Sequence, residues 1–332
     1  MNIYVLAIIL FFQIFFASNN AVKFSQSAAN LTFPQKQLKV EPGVANIIFQ
    51  STDGGQTWQD ISQGLPKNLQ GDGFFANDKE LYLNAGNAMY QRKQDSKAAF
   101  WIKEMFLSNP GTIVAGRNRI FAYNHDGRIL QKLNGTGLWL PIYTNFTGEN
   151  ILTVFETDGG TVFIGSRNGI FKSADGGKSW KQVNKGGWVM KLVESAGVLL
   201  ATSVNGILRS ADDGENWELV VSEGGVGIAA ERISGGFAVI TYNDASKTRR
   251  VRTSYDAGKT WQRIDAGLPP QASIASIMQV GEFFLCGHPD GIYRSADKGK
   301  TWKLLLPSIE NKVFNLSVSG NVIYAIPRGG GC

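Results

Sequence analysis

Ser173-Ala174-Asp175-Gly176-Gly177-Lys178-Ser179-Trp180 is one of five copies of the pattern Ser-x-Asp-x-Gly-x-x-Trp in this chain, the others beginning at Ser51, Ser210, Ser254 and Ser295. A short apolar run such as Gly169-Ile170-Phe171-Lys172 precedes each copy and another such as Lys181-Gln182-Val183 follows it. That setting predicts a hairpin turn between two strands. The residue types fit a turn. The Asp side chain (Asp53, Asp175, Asp212, Asp256, Asp297) accepts hydrogen bonds from backbone N–H groups just ahead of it, and the Gly (Gly55, Gly177, Gly214, Gly258, Gly299) takes φ > 0 at little cost. The Trp (Trp58, Trp180, Trp217, Trp261, Trp302) leaves the turn on the next strand with a large apolar face to bury.

The tryptophans count the repeats. Setting Trp188 aside, the other seven are 43, 38, 41, 37, 44 and 41 residues apart. Trp101 and Trp139 fall where two further turns should end, so two units have lost the Asp and Gly and kept the anchor. Seven units of four strands at this period predict an all-β fold, a single seven-bladed β-propeller. Only two strands surround the first turn, Asn46-Ile47-Ile48-Phe49 and Trp58-Gln59-Asp60-Ile61, and two more stand at the far end, from Val313 to Val318 and from Val322 to Ile326. The C-terminal pair is expected to supply the inner strands and the N-terminal pair the outer strands of one blade, closing the ring and removing two sheet edges.

The 332 residues are 43% hydrophobic and 18% charged, with 39 glycines and 10 prolines, which suits a globular all-β chain. No linker divides it. Asn2 to Phe16 form an uncharged apolar run interrupted at Gln13, short of a membrane span, and read as a signal peptide cleaved between Ala17 and Ala29. The expected organisation is a signal over 1–21, an extension over 22–42, the propeller over 43–328 and a glycine-rich tail over 329–332, with export and no stable membrane span afterwards. Cys286 reads as core filling and Cys332 as a thiol on the tail; a bridge between them is the other option in an oxidising compartment. The net charge of +6 favours an acidic partner, whether a protein face, an anionic glycan or a lipid surface. Nucleic acid is disfavoured, because the basic residues do not interleave with an aromatic platform.

The five turns resemble the Asp-box (BNR) repeat of sialidases, sortilin-type receptors, xyloglucanases and the photosystem II stability and assembly factor family, and the resemblance spans nearly the whole chain after the leader. These families share the turn and not a chemistry. In their four-stranded blades the boxes lie on one rim, joining third and fourth strands. The resemblance implies that binding or catalysis uses the opposite face, built from the loops between second and third strands and the crossovers between blades.

A sialidase would need a Phe/Tyr-Arg-Ile-Pro motif ahead of the first box; no arginine precedes Arg92, so the triad that grips the substrate carboxylate lacks a member. A xyloglucanase pairs two carboxylates across a cleft between two propellers, and this chain encodes one. The loop acids Asp126, Glu149, Glu223, Asp244, Asp290 and Glu310 read as solvated surface. His125 and His288, the only histidines, belong to turns of blades nearly opposite one another, so no metal pair or acid–base pair is expected. The densest charge is Lys247-Thr248-Arg249-Arg250-Val251-Arg252 in blade six. With Arg167 and Lys185 on the same face, Lys247, Arg249, Arg250 and Arg252 form the candidate binding patch; a charged strand edge that guards against aggregation is the rival reading. Phe146 and Trp188, near crossovers, leave room for a lectin. Among four sequons only Asn315 is expected within an inner strand and therefore bare. The expectation is a monomeric, non-catalytic scaffold without metal or cofactor, closest in length and blade number to the assembly factor group; a divergent glycoside hydrolase is the alternative.

Overall fold

A computed structural model describes residues 46–329 apart from 68, 70, 78, 87, 94–99, 105–111, 118, 125–126, 134–136, 145–149 and 272. The described strands form seven antiparallel sheets of four, each running in order from an inner to an outer strand. Blade four is representative, with Ile151–Glu156, Val162–Ser166, Gly169–Ser173 and Lys181–Asn184 in succession. Blade one is composite: Val313–Ser319 and Val322–Arg328 supply its inner strands, and Phe49–Ser51 and Gln59–Asp60 its outer ones. The seam pairs Phe49 with Ala325 and Ser51 with Ile323, as the half-blades at the two ends required.

All five boxes fold alike. In the copy beginning at Ser173, the Ser hydroxyl donates to Asp175 Oδ1 at 2.8 Å and accepts from Gly177 N at 2.8 Å. Asp175 Oδ1 also accepts from the amides of Lys178 and Ser179, while Oδ2 takes the Ser179 hydroxyl at 2.6 Å. The residue before the box Gly is itself left-handed, even where it is Asp213, Ala257 or Lys298, with φ of 57°, 61° and 60°. Each carboxylate is therefore surrounded by donors. Hydrogen bonds from Asn216 hold Asp212 down to about 2, and those from Thr301 do the same for Asp297. Asp175 and Asp256 lie lower still, through the Ser179 and Thr260 hydroxyls and amides.

The tryptophans join blades in one direction round the ring. Each box indole donates to the carbonyl of its own box glycine, from Trp58 to Gly55 at 3.0 Å and likewise at Trp180, Trp217, Trp261 and Trp302. Its rings pack on the preceding blade. Trp217 meets Phe163 of blade four edge to face at 6.4 Å, and Trp180 joins Phe121, Tyr123, Ile129 and Ile142 of blade three. The two boxless units keep this geometry by other means. Trp101 is buried and donates to Ile61 O of blade one at 2.7 Å. Trp139 packs edge to face on Tyr82 of blade two, beneath Lys132, whose ammonium binds the Tyr82 hydroxyl at 2.7 Å and pairs with Glu80.

A second tie runs the other way and was not anticipated. A cation on one blade donates to the carbonyl before the box Gly on the next: Lys172 to Asp213 O (2.7 Å), Arg209 Nε to Ala257 O (2.6 Å), and Arg294 Nη1 to Gly54 O (3.1 Å). In blade three, where Gln131 precedes Lys132 and Leu133, Arg119 reaches Gly176 O at 3.5 Å from the neighbouring strand while also donating to Gln131. Lys172, Arg209 and Arg294 all stand immediately before a box Ser, a recurrence visible in the sequence once its use is known.

Candidate functional site

The boxes lie on the face of the 1–2 and 3–4 turns; the other face carries the 2–3 turns and the crossovers. On this crossover face the third strands of blades four, five and seven begin with Gly169, Gly206 and Gly291, at φ of 120°, 127° and 139°. A Cβ at Gly169 would stand 2.1 Å from Asn184 O, so only glycine lets the 2–3 turn press against the crossover that leaves the blade. Gln182 Nε2 donates to Asn168 O across the same junction. The result is a fixed platform: the exposed Arg167 guanidinium lies 4.8 Å from the Trp188 ring centroid, and Lys185 stands exposed in the crossover beside it. The Asn184 side-chain oxygen is buried at the same place without a hydrogen-bond partner.

The blade-six residues of the expected patch sit on the same face, in the longer hairpin joining Gly236–Asn243 to Thr248–Ser254. They are engaged with the protein itself. Arg249 is buried and donates to Ile274 O at 2.7 Å. Arg252 binds Glu223 through both terminal nitrogens, with Thr241 and Asn243 completing the carboxylate's contacts. Burial opposes the charge on Glu223, but these donors outweigh it and its pKa lies below the ordinary value. Arg250 faces the buried Asp265 at 3.7 Å and Lys247 pairs with Asp244 at 2.6 Å. The six cations thus divide. Arg167 meets Trp188 at the junction of blades four and five, with Lys185 exposed in the same crossover, while the blade-six four bind their own hairpin and its neighbours.

The remaining candidates occupy structural positions. His288 is buried; its Nε2 lies 2.9 Å from Pro269 O and its Nδ1 accepts from Asp290 N, which fixes it as a turn residue. Asp290 also faces the Tyr293 hydroxyl, and Glu310 pairs with Lys312. His125, Asp126, Phe146 and Glu149 lie outside the described residues, as does Cys332. Cys286 is a buried free thiol pushed far above its ordinary pKa by burial. Asn315 stands in the inner strand of blade one, where its side-chain oxygen accepts from Arg328. Among the described residues no cluster of His, Cys, Asp and Glu could hold a metal ion.

Around the axis on the box face, side chains stitch successive blades in a way no hairpin rule foresees. Arg119 pairs with Glu156 at 2.6 Å, Glu194 accepts from Asp158 N at 2.8 Å, Lys191 pairs with Glu231, and Gln279 accepts from Ser234 N at 2.7 Å. Arg232 of blade six reaches Asp158 of blade four at 3.4 Å, passing over blade five. Beside this belt is an open hollow of about 410 Å³ lined by Arg232, Ile233, Ser234, Gln279 and Gly281.

No family model matches the chain, and no curated protein does. Solved structures do. The fold is similar to that of YCF48 from Cyanidioschyzon merolae, with a TM-score of 0.58 at 13% identity over 79% of this chain and 96% of that one. A structure of YCF48 bound to D1 peptide is alike at the same TM-score and identity, covering 95% of that chain. The GH74 xyloglucanase from Xanthomonas campestris has a TM-score of 0.57 at 14% identity over 76% of this chain, which spans 47% of the enzyme's chain. An extracellular domain of a one-component system from B. thetaiotaomicron is similar at a TM-score of 0.60 and 12% identity, over 76% of this chain and 36% of that one. At these identities the likeness establishes the propeller.

Proposed function

We propose that the chain is an exported, monomeric, non-catalytic propeller that docks a protein partner on its crossover face, with Arg167, Trp188 and Lys185 at the centre of the contact. The observation that carries this reading is the exposed guanidinium stacked over an indole at 4.8 Å on a glycine-braced platform. Arg and Trp are the residue types that dominate binding energy at protein interfaces, and a pre-stacked pair loses little freedom when a partner arrives. The adjacent Lys185 and the net charge of +6 favour an acidic segment as the part of the partner that is gripped. The likeness to a propeller whose structure holds a peptide supports the reading.

Capture of a partner from the extract of the host's exported fraction, followed by mass spectrometry, tests the proposal. Arg167→Glu and Trp188→Ala are expected to abolish capture while leaving the melting temperature unchanged, and Arg249→Glu to lower the melting temperature instead. Capture that survives both platform variants refutes the site. The likeness to a xyloglucanase favours one rival, a glycoside hydrolase; turnover of xyloglucan by the pure protein, abolished by substituting a crossover-face carboxylate, would establish that reading in place of this one.

A further inference from the structure

Nine large apolar side chains are exposed among the described residues, and six of them, Phe100, Ile102, Leu133, Leu138, Leu140 and Tyr143, fall on the outer strands of blades two and three or beside them. Scattered apolar residues need no explanation, but six on adjacent blades do. These are the two blades that lack an Asp box. The residue following the anchoring Trp makes the contrast: it is Gln59, Lys181, Glu218, Gln262 or Lys303 in the boxed blades, and Ile102 or Leu140 here. Leu138 and Leu140 alternate with Trp139, so they lie on the side of the strand away from the half-buried indole. Leu133 leaves the partner strand at the same end, next to Lys132, which pairs with Trp139.

Within the described outer strands the charges are of one sign, and the half-buried Glu104 follows the outer strand of blade two. On the outer two strands of both blades the described charged residues are Arg92, Lys93, Lys103 and Lys132. Of the described acids beside them, Glu80 is held by Lys132 and Gln91 and Glu104 is half-buried near Tyr82, while Arg92 donates to Ile61 O, which leaves Lys93 and Lys103 exposed at the margin. Pro141 in the outer strand of blade three lacks an N–H and weakens that edge as a template for strand addition. Apolar side chains with lysines at their margin, on a strand edge ill suited to pairing, match the interface of an anionic bilayer: Phe, Ile and Leu enter the acyl boundary, Tyr sits at headgroup depth, and the lysines meet the lipid phosphates. The geometry points to the flank of blades two and three as a docking surface for an anionic membrane, independent of the crossover-face platform.

Co-sedimentation of the full chain with vesicles of phosphatidylcholine containing phosphatidylglycerol, against vesicles of phosphatidylcholine alone, tests this. The wild type is expected to bind the anionic vesicles more tightly, with binding weakened as salt rises from about 0.1 M to about 0.5 M. An Ile102→Glu, Leu140→Glu double variant is expected to lose about tenfold or more in partitioning at an unchanged melting temperature, because both positions are exposed in the folded protein. Lys93→Glu with Lys103→Glu is expected to remove the preference for anionic lipid without touching the apolar side chains. Absence of binding to anionic vesicles overturns the assignment, as does binding that the Glu variants leave intact, which would place the contact elsewhere on the chain. A self-association seen by light scattering that the same variants dissolve would also overturn it, in favour of a second copy of this protein.

Discussion

A single carboxylate organises each box: Asp256 receives the Ser254 hydroxyl, two backbone amides and the Thr260 hydroxyl within one turn. Its charge is thereby favoured in the folded state, and the same holds for Asp175, Asp212 and Asp297. A carboxyl whose folded pKa lies below the unfolded value of about 3.9 contributes stability that is whole above that value and is lost as pH falls through the folded one. The melting temperature should therefore fall between about pH 4 and about pH 2. Asp297→Asn is expected to lower it at neutral pH and to flatten this acid limb; a variant with the wild-type profile would show that the box carboxylates are not its source. The tryptophans make a parallel case. Trp101→Ala should cost about 3–5 kcal/mol in chemical denaturation because the buried indole leaves a cavity and the Ile61 carbonyl loses one of its two donors. Trp188→Ala, on the surface platform, should cost well under 1 kcal/mol.

At the scale of the element, the hairpin and its anchor were legible and the joints between blades were not. Five repeated turns and seven evenly spaced indoles carry their meaning locally, since a turn's hydrogen bonds close within eight residues. The cation on the next blade's carbonyl lies 41 residues away from it in Lys172 and 48 in Arg209, and nothing in a hairpin's own chemistry demands it. The same limit applied to the candidate patch. Arg249, Arg250 and Arg252 read as an exposed charge run, and only the fold shows Glu223 arriving from the preceding crossover to claim Arg252, while Ile274 O claims Arg249. Trp188, by contrast, stood out because it broke the count, and it proves to lie under Arg167. The blade joints make a prediction: Arg209→Met, which keeps the aliphatic stem but leaves Ala257 O without this donor, should destabilise the protein by about 1.5–3 kcal/mol in urea denaturation. A change within error would demote the contact to a surface accessory.

On the scale of the whole molecule, the ring closes through strands from both ends of the chain, so the two faces of the disc are set by the same seam that holds it shut. Removing Val313 to Cys332 would expose the Phe49–Ser51 strand edge in blade one and the apolar face of blade seven together, and the truncated chain should lose cooperative unfolding rather than a share of its stability. The two faces then divide the work, with box turns and an ionic belt on one and the Arg167–Trp188 platform on the other. The most direct test is a photo-crosslinking side chain introduced at Lys185, on the crossover face, or at Lys178, on the box rim, in protein exposed to its captured partner. Adducts from position 185 and none from 178 are the result expected; adducts from 178 alone would contradict the assignment of the box rim to architecture and of the crossover face to binding.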